Sequence, residues 1–133
     1  MRDLVIDRSR RLRGDIFSGE GSYLLDEQGR QCCLGFFLSS CRVPKDRLLD
    51  ECLPSGIGWW PKYATFEHDI PKSAMWLVEE VGKEGQRVES FFTSVNDDSS
   101  FLEPERERRI KALFAEYGVR VKFVGRTPRH RTP

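Results

Sequence analysis

The chain has 133 residues, 22 of them basic and 21 acidic, and this length suits a single domain that buries its own core without a disulfide or a metal. The hydrophobic share of 38% argues against a disordered chain, and the net charge of +1 excludes a uniformly basic nucleic-acid binder. The charge is nevertheless polarised: residues 1–13 and 118–133 are basic, whereas residues 14–117 hold 19 acidic and 12 basic side chains.

Nothing in the sequence predicts a membrane segment or a secretion signal. No run approaches the roughly 18 apolar residues of a membrane-spanning helix, and charged residues stand where a signal peptide has its apolar core. We therefore expect a cytoplasmic protein, in the host cell if a phage encodes it. The four cysteines are then reduced thiols, and a disulfide between the adjacent Cys32 and Cys33 would be strained.

In the first half of the chain, apolar spacing predicts two strands and two helices. The apolar run Leu4–Ile6 indicates a strand, and Tyr23–Leu25 a second one that leads into a turn with Gly29 at its tip. Helical spacing predicts a buried helix over Cys32–Cys41 and a shorter one over Lys45–Cys52, with Leu48, Leu49 and Cys52 facing inward.

In the second half, three helices and a strand are predicted. The first helix runs from Asp69 to Gly82, with Pro71 in its first turn, and the second covers Val88–Asn96. The last begins near Pro104 and ends at Gly118. The alternation of apolar and basic residues after Gly118 predicts a half-buried strand, Val119–Phe123.

These elements predict an α+β fold: a small single domain with four or five short helices packed on a small sheet that includes the N- and C-terminal strands. Residues 1–124 form the globular domain, and residues 125–133 a flexible basic C-terminal tail. Pairing of the two terminal strands would bring the two basic segments together.

Several short motifs resemble a family of small, uncharacterised phage and bacterial proteins. These carry a Ser-Gly pair, a Tyr, a turn into a CCLG motif, and an NDD-type segment near the C-terminus. The matching pieces here are Ser18-Gly19, Tyr23, Gly29, Cys32 to Gly35, and Asn96-Asp97-Asp98, and the similarity extends over Glu105 to Phe123. The resemblance covers most of residues 4–124 and implies a phage-type origin, but no established activity.

Cys32 and Cys33 are the candidate nucleophiles. A reactive thiol needs a lowered pKa and a base, but the two histidines, His68 and His130, form no local Cys-His signature. No phosphate loop or hydrolase motif is present. We predict structural thiols and no enzyme activity.

The sequence predicts no metal site and no cofactor. Adjacent cysteines followed by Cys41 and Cys52 lack the CxxC spacing that directs two thiolates at one zinc ion. Asp97, Asp98 and Glu103 form an acidic loop without the alternation and turning glycine of a calcium site. We predict that Asn96 and Asp97 end one helix and that Asp98, Ser99 or Ser100 begins the next.

Two surfaces are candidates for binding macromolecules. An aromatic loop and the acidic loop could contact a protein, although the aromatic rings could instead cover the core; the candidate residues are Trp59, Trp60, Tyr63, Asp97 and Asp98. The joined termini could contact phosphates, although such a charge run could be only a solvated face; the candidates are Arg8, Arg10, Arg11, Arg13, Arg120, Lys122 and Arg126.

The leading functional hypothesis is a small phage-type accessory protein that binds a host macromolecule non-covalently. Its most concrete form is a protein-binding inhibitor of a host defence system, such as an anti-CRISPR. The alternatives are a nucleic-acid-binding protein that uses the basic termini and a cysteine-dependent enzyme. The target and the oligomeric state stay open.

Overall fold

A computed structural model describes residues 2–14, 22–55, 71–82 and 84–127. In these ranges, five helices pack on a small parallel sheet, which confirms the α+β class. In chain order the elements are β1 (Arg2–Asp7), α1 (Cys33–Ser40), α2 (Lys45–Leu48), a 3-10 helix (Lys72–Val78), β2 (Glu80–Val81), β3 (Gln86–Arg87), α3 (Val88–Asn96), α4 (Glu103–Glu116) and β4 (Val119–Val124).

The strands near the two ends of the chain pair with each other, as predicted. β1 and β4 are parallel, with Leu4 opposite Val121 and Ile6 opposite Phe123. The inward side chains of both strands are buried, and β1 packs on α1 while β4 packs on α4. Burial alternates along each strand because one face of the sheet packs on the core and the other face points outward.

Aromatic rings fill the core between the helices. Phe37 of α1, Phe92 of α3 and Phe114 of α4 are fully buried, and the Phe92 and Phe114 ring centroids are 4.6 Å apart. Trp76, from the 3-10 helix, stacks on Tyr117 with centroids 4.5 Å apart. Each buried phenylalanine stabilises the fold by about 1.5–3 kcal/mol relative to an exposed one, so these rings hold the three helices together.

Two predictions for the first half of the chain are wrong in extent. Tyr23–Leu25 is not a strand but makes one isolated bridge, between Leu25 and Leu49, while the turn around Gly29 is present with a φ of 79°. The second helix ends at Leu48, because Asp50 adopts a left-handed φ of 63°. Leu49 and Cys52 are consequently exposed rather than inward.

The segment predicted as one helix from Asp69 to Gly82 is not a single helix in its described part. Its described part is a 3-10 helix followed by a hairpin in which Glu80 pairs with Arg87 and Val81 with Gln86. Gly82 and Gly85 supply the positive φ values of the turn. Asp69, the predicted start of that helix, lies outside the described residues.

The helices α1, α3 and α4 fall close to their predicted positions. Arg126 and Thr127 are exposed at the start of the predicted tail, and residues 128–133 lie outside the described ranges. None of the helices that the structure describes is both long and apolar enough to cross a lipid bilayer.

Candidate functional site

Two of the motifs that carry the resemblance, CCLG and the NDD-type segment, meet inside the fold, while Ser18-Gly19 lies outside the described residues. The CCLG motif begins α1, and Asn96 and Asp97 end α3, which packs against α1. The main-chain N–H of Cys33 donates to Asn96 Oδ1 at 3.2 Å, and the hydroxyl of Ser22 donates to Asp97 Oδ1 at 2.5 Å. We call Arg11, Ser22, Cys33, Asn96 and Asp97 the buried polar cluster.

Asn96 is the centre of this cluster and is fully buried. Its Oδ1 also accepts from Arg11 Nη2 at 3.4 Å. Its Nδ2 faces three acceptors, the Leu12 carbonyl at 3.2 Å, Ser22 Oγ at 3.1 Å and Asp97 Oδ1 at 2.9 Å. One amide thus joins the chain after β1, the loop before α1, and α3, which is a structural role.

Burial keeps the two adjacent thiols protonated. It raises the pKa of Cys32 to about 11, although the main-chain N–H groups of Gly35 and Leu34 and the Ser22 hydroxyl act in the opposite direction. Burial, and then the neighbouring Cys32, raise the pKa of Cys33 well above its usual value of 9.0. Since the thiolate is the reactive form, neither sulfur is an activated nucleophile at neutral pH.

The other residues considered for chemistry are dispersed. Cys41 is partly buried and Cys52 exposed, and His68 and His130 lie outside the described residues. Over the described ranges, no group of three or more His, Cys, Asp or Glu side chains is placed to hold a metal ion.

Sequence reasoning missed the role of Glu103, the first residue of α4. Its carboxylate contacts three guanidinium groups: Arg11, Arg13 (Nε to Oε1, 3.1 Å) and Arg106 (Nε to Oε2, 3.8 Å). Burial lowers the pKa of Arg11 to about 10, so this guanidinium keeps its charge at neutral pH. The acidic residue just before a Pro in the first helical turn was the available signal, but it does not name the distant arginines.

The acidic loop is built differently from its prediction. Asn96 and Asp97 do end α3, but α4 begins at Glu103, preceded by Leu102. The Asp98 carboxylate instead accepts from the hydroxyl of Ser100 at 2.5 Å and from its N–H at 3.0 Å, and these two hydrogen bonds close a local turn and lower the pKa of Asp98. Asp97 is largely buried against Ser22, so Asp98 is the more accessible of the two candidate protein contacts.

The structure pairs several of the candidate basic residues with carboxylates. Arg8 makes a bidentate contact with Glu107 at 2.8 and 3.0 Å, and Arg120 contacts Asp3 at 2.7 Å. Arg11 is 3% exposed, so it does not reach the surface. The other candidates divide as follows: Arg13 contacts Glu103, Arg10 donates to the Gly29 carbonyl, and Lys122 and Arg126 are exposed.

The aromatic candidates Trp59, Trp60 and Tyr63 lie outside the described residues. The described chain presents a different aromatic surface, a groove of about 400 Å³ between the β2–β3 hairpin, α3 and α4. We call it the aromatic groove; its walls include Val81, Val88, Phe91, Leu113, Glu116 and Tyr117. Phe91 and Tyr117 are 40% and 38% exposed, although the helical spacing Val88, Phe91, Phe92, Val95 and the spacing Ile110, Leu113, Phe114, Tyr117 place each on an apolar helix face.

Comparisons with protein-family models, with curated proteins and with solved structures find no match to this chain. We therefore infer function from the residues of the chain and their arrangement.

Proposed function

We propose that this protein is a small phage-type accessory protein that binds a host protein non-covalently and thereby inhibits a host defence system, for example as an anti-CRISPR. The observation that supports protein binding is the aromatic groove, where Phe91 and Tyr117 stay accessible beside a buried core. Aromatic side chains held on rigid elements are typical of interface hot spots.

Contacts within the protein fix the position of Tyr117 in the aromatic groove. Tyr117 stacks on Trp76, and the Trp76 Nε1–H donates to the Ser73 carbonyl at 3.0 Å. A preformed site loses less conformational entropy on binding than a mobile one. Because Glu116 is the charged residue of the groove wall, the occupant we propose is an apolar side chain with a basic neighbour.

The inhibitory part of the proposal is supported by charge and by the resemblance. Residues 14–117 hold an excess of acidic side chains. Negative charge can compete for the basic groove of a target that itself binds nucleic acid.

The protonated thiols of Cys32 and Cys33 favour binding over covalent chemistry, so the cysteine-dependent enzyme is the weakest of the three hypotheses.

The test is capture from host lysate with purified wild-type protein and two matched variants. Phe91→Ser removes an aromatic ring from the groove, whereas Leu102→Ser removes an apolar side chain that is 81% exposed at a different place. We expect one stoichiometric partner with the wild type and with Leu102→Ser, and a loss of at least about tenfold in affinity with Phe91→Ser.

Thermal unfolding of all three proteins checks that the substitutions leave the fold intact. Failure to retain any stoichiometric partner would refute the proposed function. Equal capture by wild type and Phe91→Ser would remove the aromatic groove from it.

A second candidate function is direct nucleic-acid binding. The pairing of β1 with β4 favours it, since that pairing places Lys122 and Arg126 on the same part of the molecule as Arg8 and Arg10. The carboxylates of Glu107 and Asp3 weaken it, because they already neutralise Arg8 and Arg120.

Salt dependence distinguishes the two functions. If the basic face binds duplex DNA, log K falls with log salt with a slope of about −0.9 per phosphate neutralised. The variant Lys122→Glu/Arg126→Glu should then lose most of the binding, whereas Lys111→Glu on the exposed side of α4 should retain it. Equal DNA affinity for the two variants would exclude the basic face.

A further inference from the structure

In the part of the chain that the structure describes, β1 has one edge hydrogen-bonded to β4 and one open edge. The main-chain N–H groups of Arg2 and Arg8 donate to the Gly118 and Val124 carbonyls of the β4 segment, so the even-numbered residues of β1 face β4. By the alternation of a strand, the N–H and C=O groups of Asp3 and Val5 point the other way. Among the described residues, none makes a hydrogen bond to those outward main-chain groups.

A second groove runs along this open edge. It measures about 590 Å³, and its walls include Leu4, Val5, Arg10, Phe36, Ser40 and Lys45; we call it the edge groove. Val5 is 55% exposed, whereas Leu4 and Phe36 are nearly buried and give the groove an apolar base. A row of strand-spaced donors and acceptors beside an apolar base fits an extended polypeptide.

The charges of the groove wall are predominantly basic. Arg10 follows the end of β1, and Lys45 follows α1, whose Ser40 carbonyl accepts from Arg2 at the start of β1. Both cations therefore line the groove beside the open edge. The one carboxylate of the wall, Asp7, already accepts hydrogen bonds from the N–H and the hydroxyl of Ser9, at 2.9 and 2.7 Å.

We propose that the open edge of β1 binds an extended segment of a partner protein, which adds a third strand to the sheet. An apolar side chain of the segment lies on Leu4 and Phe36, and carboxylates on either side of it contact Lys45 and Arg10. This inference rests on the proposed function, protein binding, and identifies a main-chain contact distinct from the aromatic groove.

A second copy of this chain is a poor occupant of the same edge. In an antiparallel β1–β1 pair centred on Val5, Asp3 of each copy faces Asp7 of the other. Like charges directly opposite each other destabilise a strand pair. The charges of β1 thus disfavour this self-pairing, whereas a segment of complementary charge meets no such repulsion.

The experiment measures amide hydrogen exchange by NMR in the whole protein, with and without a probe peptide. The probe is acetyl-Thr-Glu-Thr-Val-Thr-Glu-Thr-amide, which presents a valine between two glutamates on one face, and the control has lysine in place of both glutamates. We expect the acidic probe to slow exchange of the Asp3 and Val5 amides about tenfold at saturation, with little change at Leu4 and Ile6, which already face β4.

Two charge reversals supply the matched controls. Lys45→Glu lies in the edge groove and should weaken probe binding about fivefold or more, whereas Lys72→Glu, on the exposed side of the 3-10 helix, should leave it unchanged. The proposal is overturned if millimolar probe leaves the Asp3 and Val5 amides unprotected. Equal binding of the lysine peptide, or dimerisation seen by analytical ultracentrifugation with protection of the same amides, would also overturn it.

Failure here is separable from failure of the proposed function. If the captured host protein is not displaced by the acidic probe and binds Lys45→Glu normally, the edge proposal fails while protein binding stands. If no host protein is captured at all, the proposed function itself fails.

Discussion

Asn96 serves as a hydrogen-bonding hub between three segments of the chain. Its removal leaves the N–H of Cys33 and the carbonyl of Leu12 without their side-chain partner inside the protein. Buried polar groups that lose their partners each destabilise a fold by about 1–3 kcal/mol. The sequence placed this residue at a helix end, which is correct, but nothing in its spacing showed how many segments it joins.

We predict that Asn96→Ala lowers the free energy of unfolding by about 3 kcal/mol, measured by urea denaturation. Thr93→Ala on the same helix is the control, because its hydroxyl donates only to the nearby Ser90 carbonyl at 3.1 Å; its effect should stay within about 0.5 kcal/mol. A loss below about 1 kcal/mol for Asn96→Ala would contradict the role of the amide.

The glycine of the CCLG motif is explained by close approach. A Cβ on Gly35 would lie 2.0 Å from the Leu24 carbonyl oxygen, so α1 packs there directly against main chain. Gly29 differs, since its φ is 79° but a Cβ would meet nothing within 4 Å. Steric exclusion acts at the first glycine and backbone conformation at the second.

We therefore expect Gly35→Ala to destabilise the fold by about 3 kcal/mol or to prevent folding, whereas Gly29→Ala should lower stability by about 1 kcal/mol. Thermal unfolding monitored by circular dichroism measures both. Equal effects of the two substitutions would disprove the close approach of α1 to Leu24.

At the scale of elements, the sequence predicts those with a clear apolar period. β1, β4, α1, α3 and α4 follow from alternation or helical spacing, and even the pairing of β1 with β4 was anticipated. The β2–β3 hairpin was missed because two-residue strands have no period to detect. The aromatic groove was missed because spacing assigns Phe91 to a stripe but does not show that the neighbouring elements leave it uncovered.

The ion pair between Arg8 and Glu107 joins α4 to the residue that follows β1. The contact is bidentate, and the Glu107 side chain is 13% exposed. In a double-mutant cycle with Arg8→Ala and Glu107→Ala, we expect a coupling energy of about 1 kcal/mol in urea unfolding. The neighbouring pair Arg109–Glu105 is more exposed and should couple by less than about 0.5 kcal/mol; the opposite ranking would argue against the contact.

At the scale of the whole molecule, folding neutralises part of the charge polarisation between the ends and the middle of the chain. The basic segment after β1 lies on the acidic start of α4, where Glu103 and Glu107 contact Arg11, Arg13 and Arg8. Three arginines of the basic N-terminal segment therefore form ion pairs within the protein. Ion pairs of this kind join residues that are far apart in the sequence, 99 residues for Arg8 and Glu107, so composition alone could not reveal them.

Cys32 and Cys33 should report global unfolding. Both are buried in the core, whereas Cys52 is exposed, so iodoacetamide at pH 8 should modify Cys52 at once and the adjacent pair only at the rate of global opening. Mass spectrometry of timed samples measures this. Modification of Cys32 and Cys33 at a rate independent of added urea would contradict it.

The buried thiol of Cys32 makes the free energy of unfolding depend on pH. Because burial raises the folded-state pKa of Cys32 from 9.0 to about 11, its contribution to stability is complete below pH 9 and is lost as pH rises towards 11. Urea unfolding at pH 8 and pH 10.5 should show this loss, and Cys32→Ala should reduce the difference between the two pH values. An undiminished difference in Cys32→Ala would assign the effect to another group.

The pairing of β1 with β4 also has a consequence for synthesis. Arg2 is opposite Val119, so the partner of β1 is translated 117 residues later. Translation proceeds at about 5–20 residues per second, so β4 is synthesised on the order of ten seconds after β1. Leu4 and Ile6 lack their partner strand during this time. During that interval both edges of β1 are open, and we expect chaperones or an early partner segment to have access to a strand whose finished form exposes only one edge.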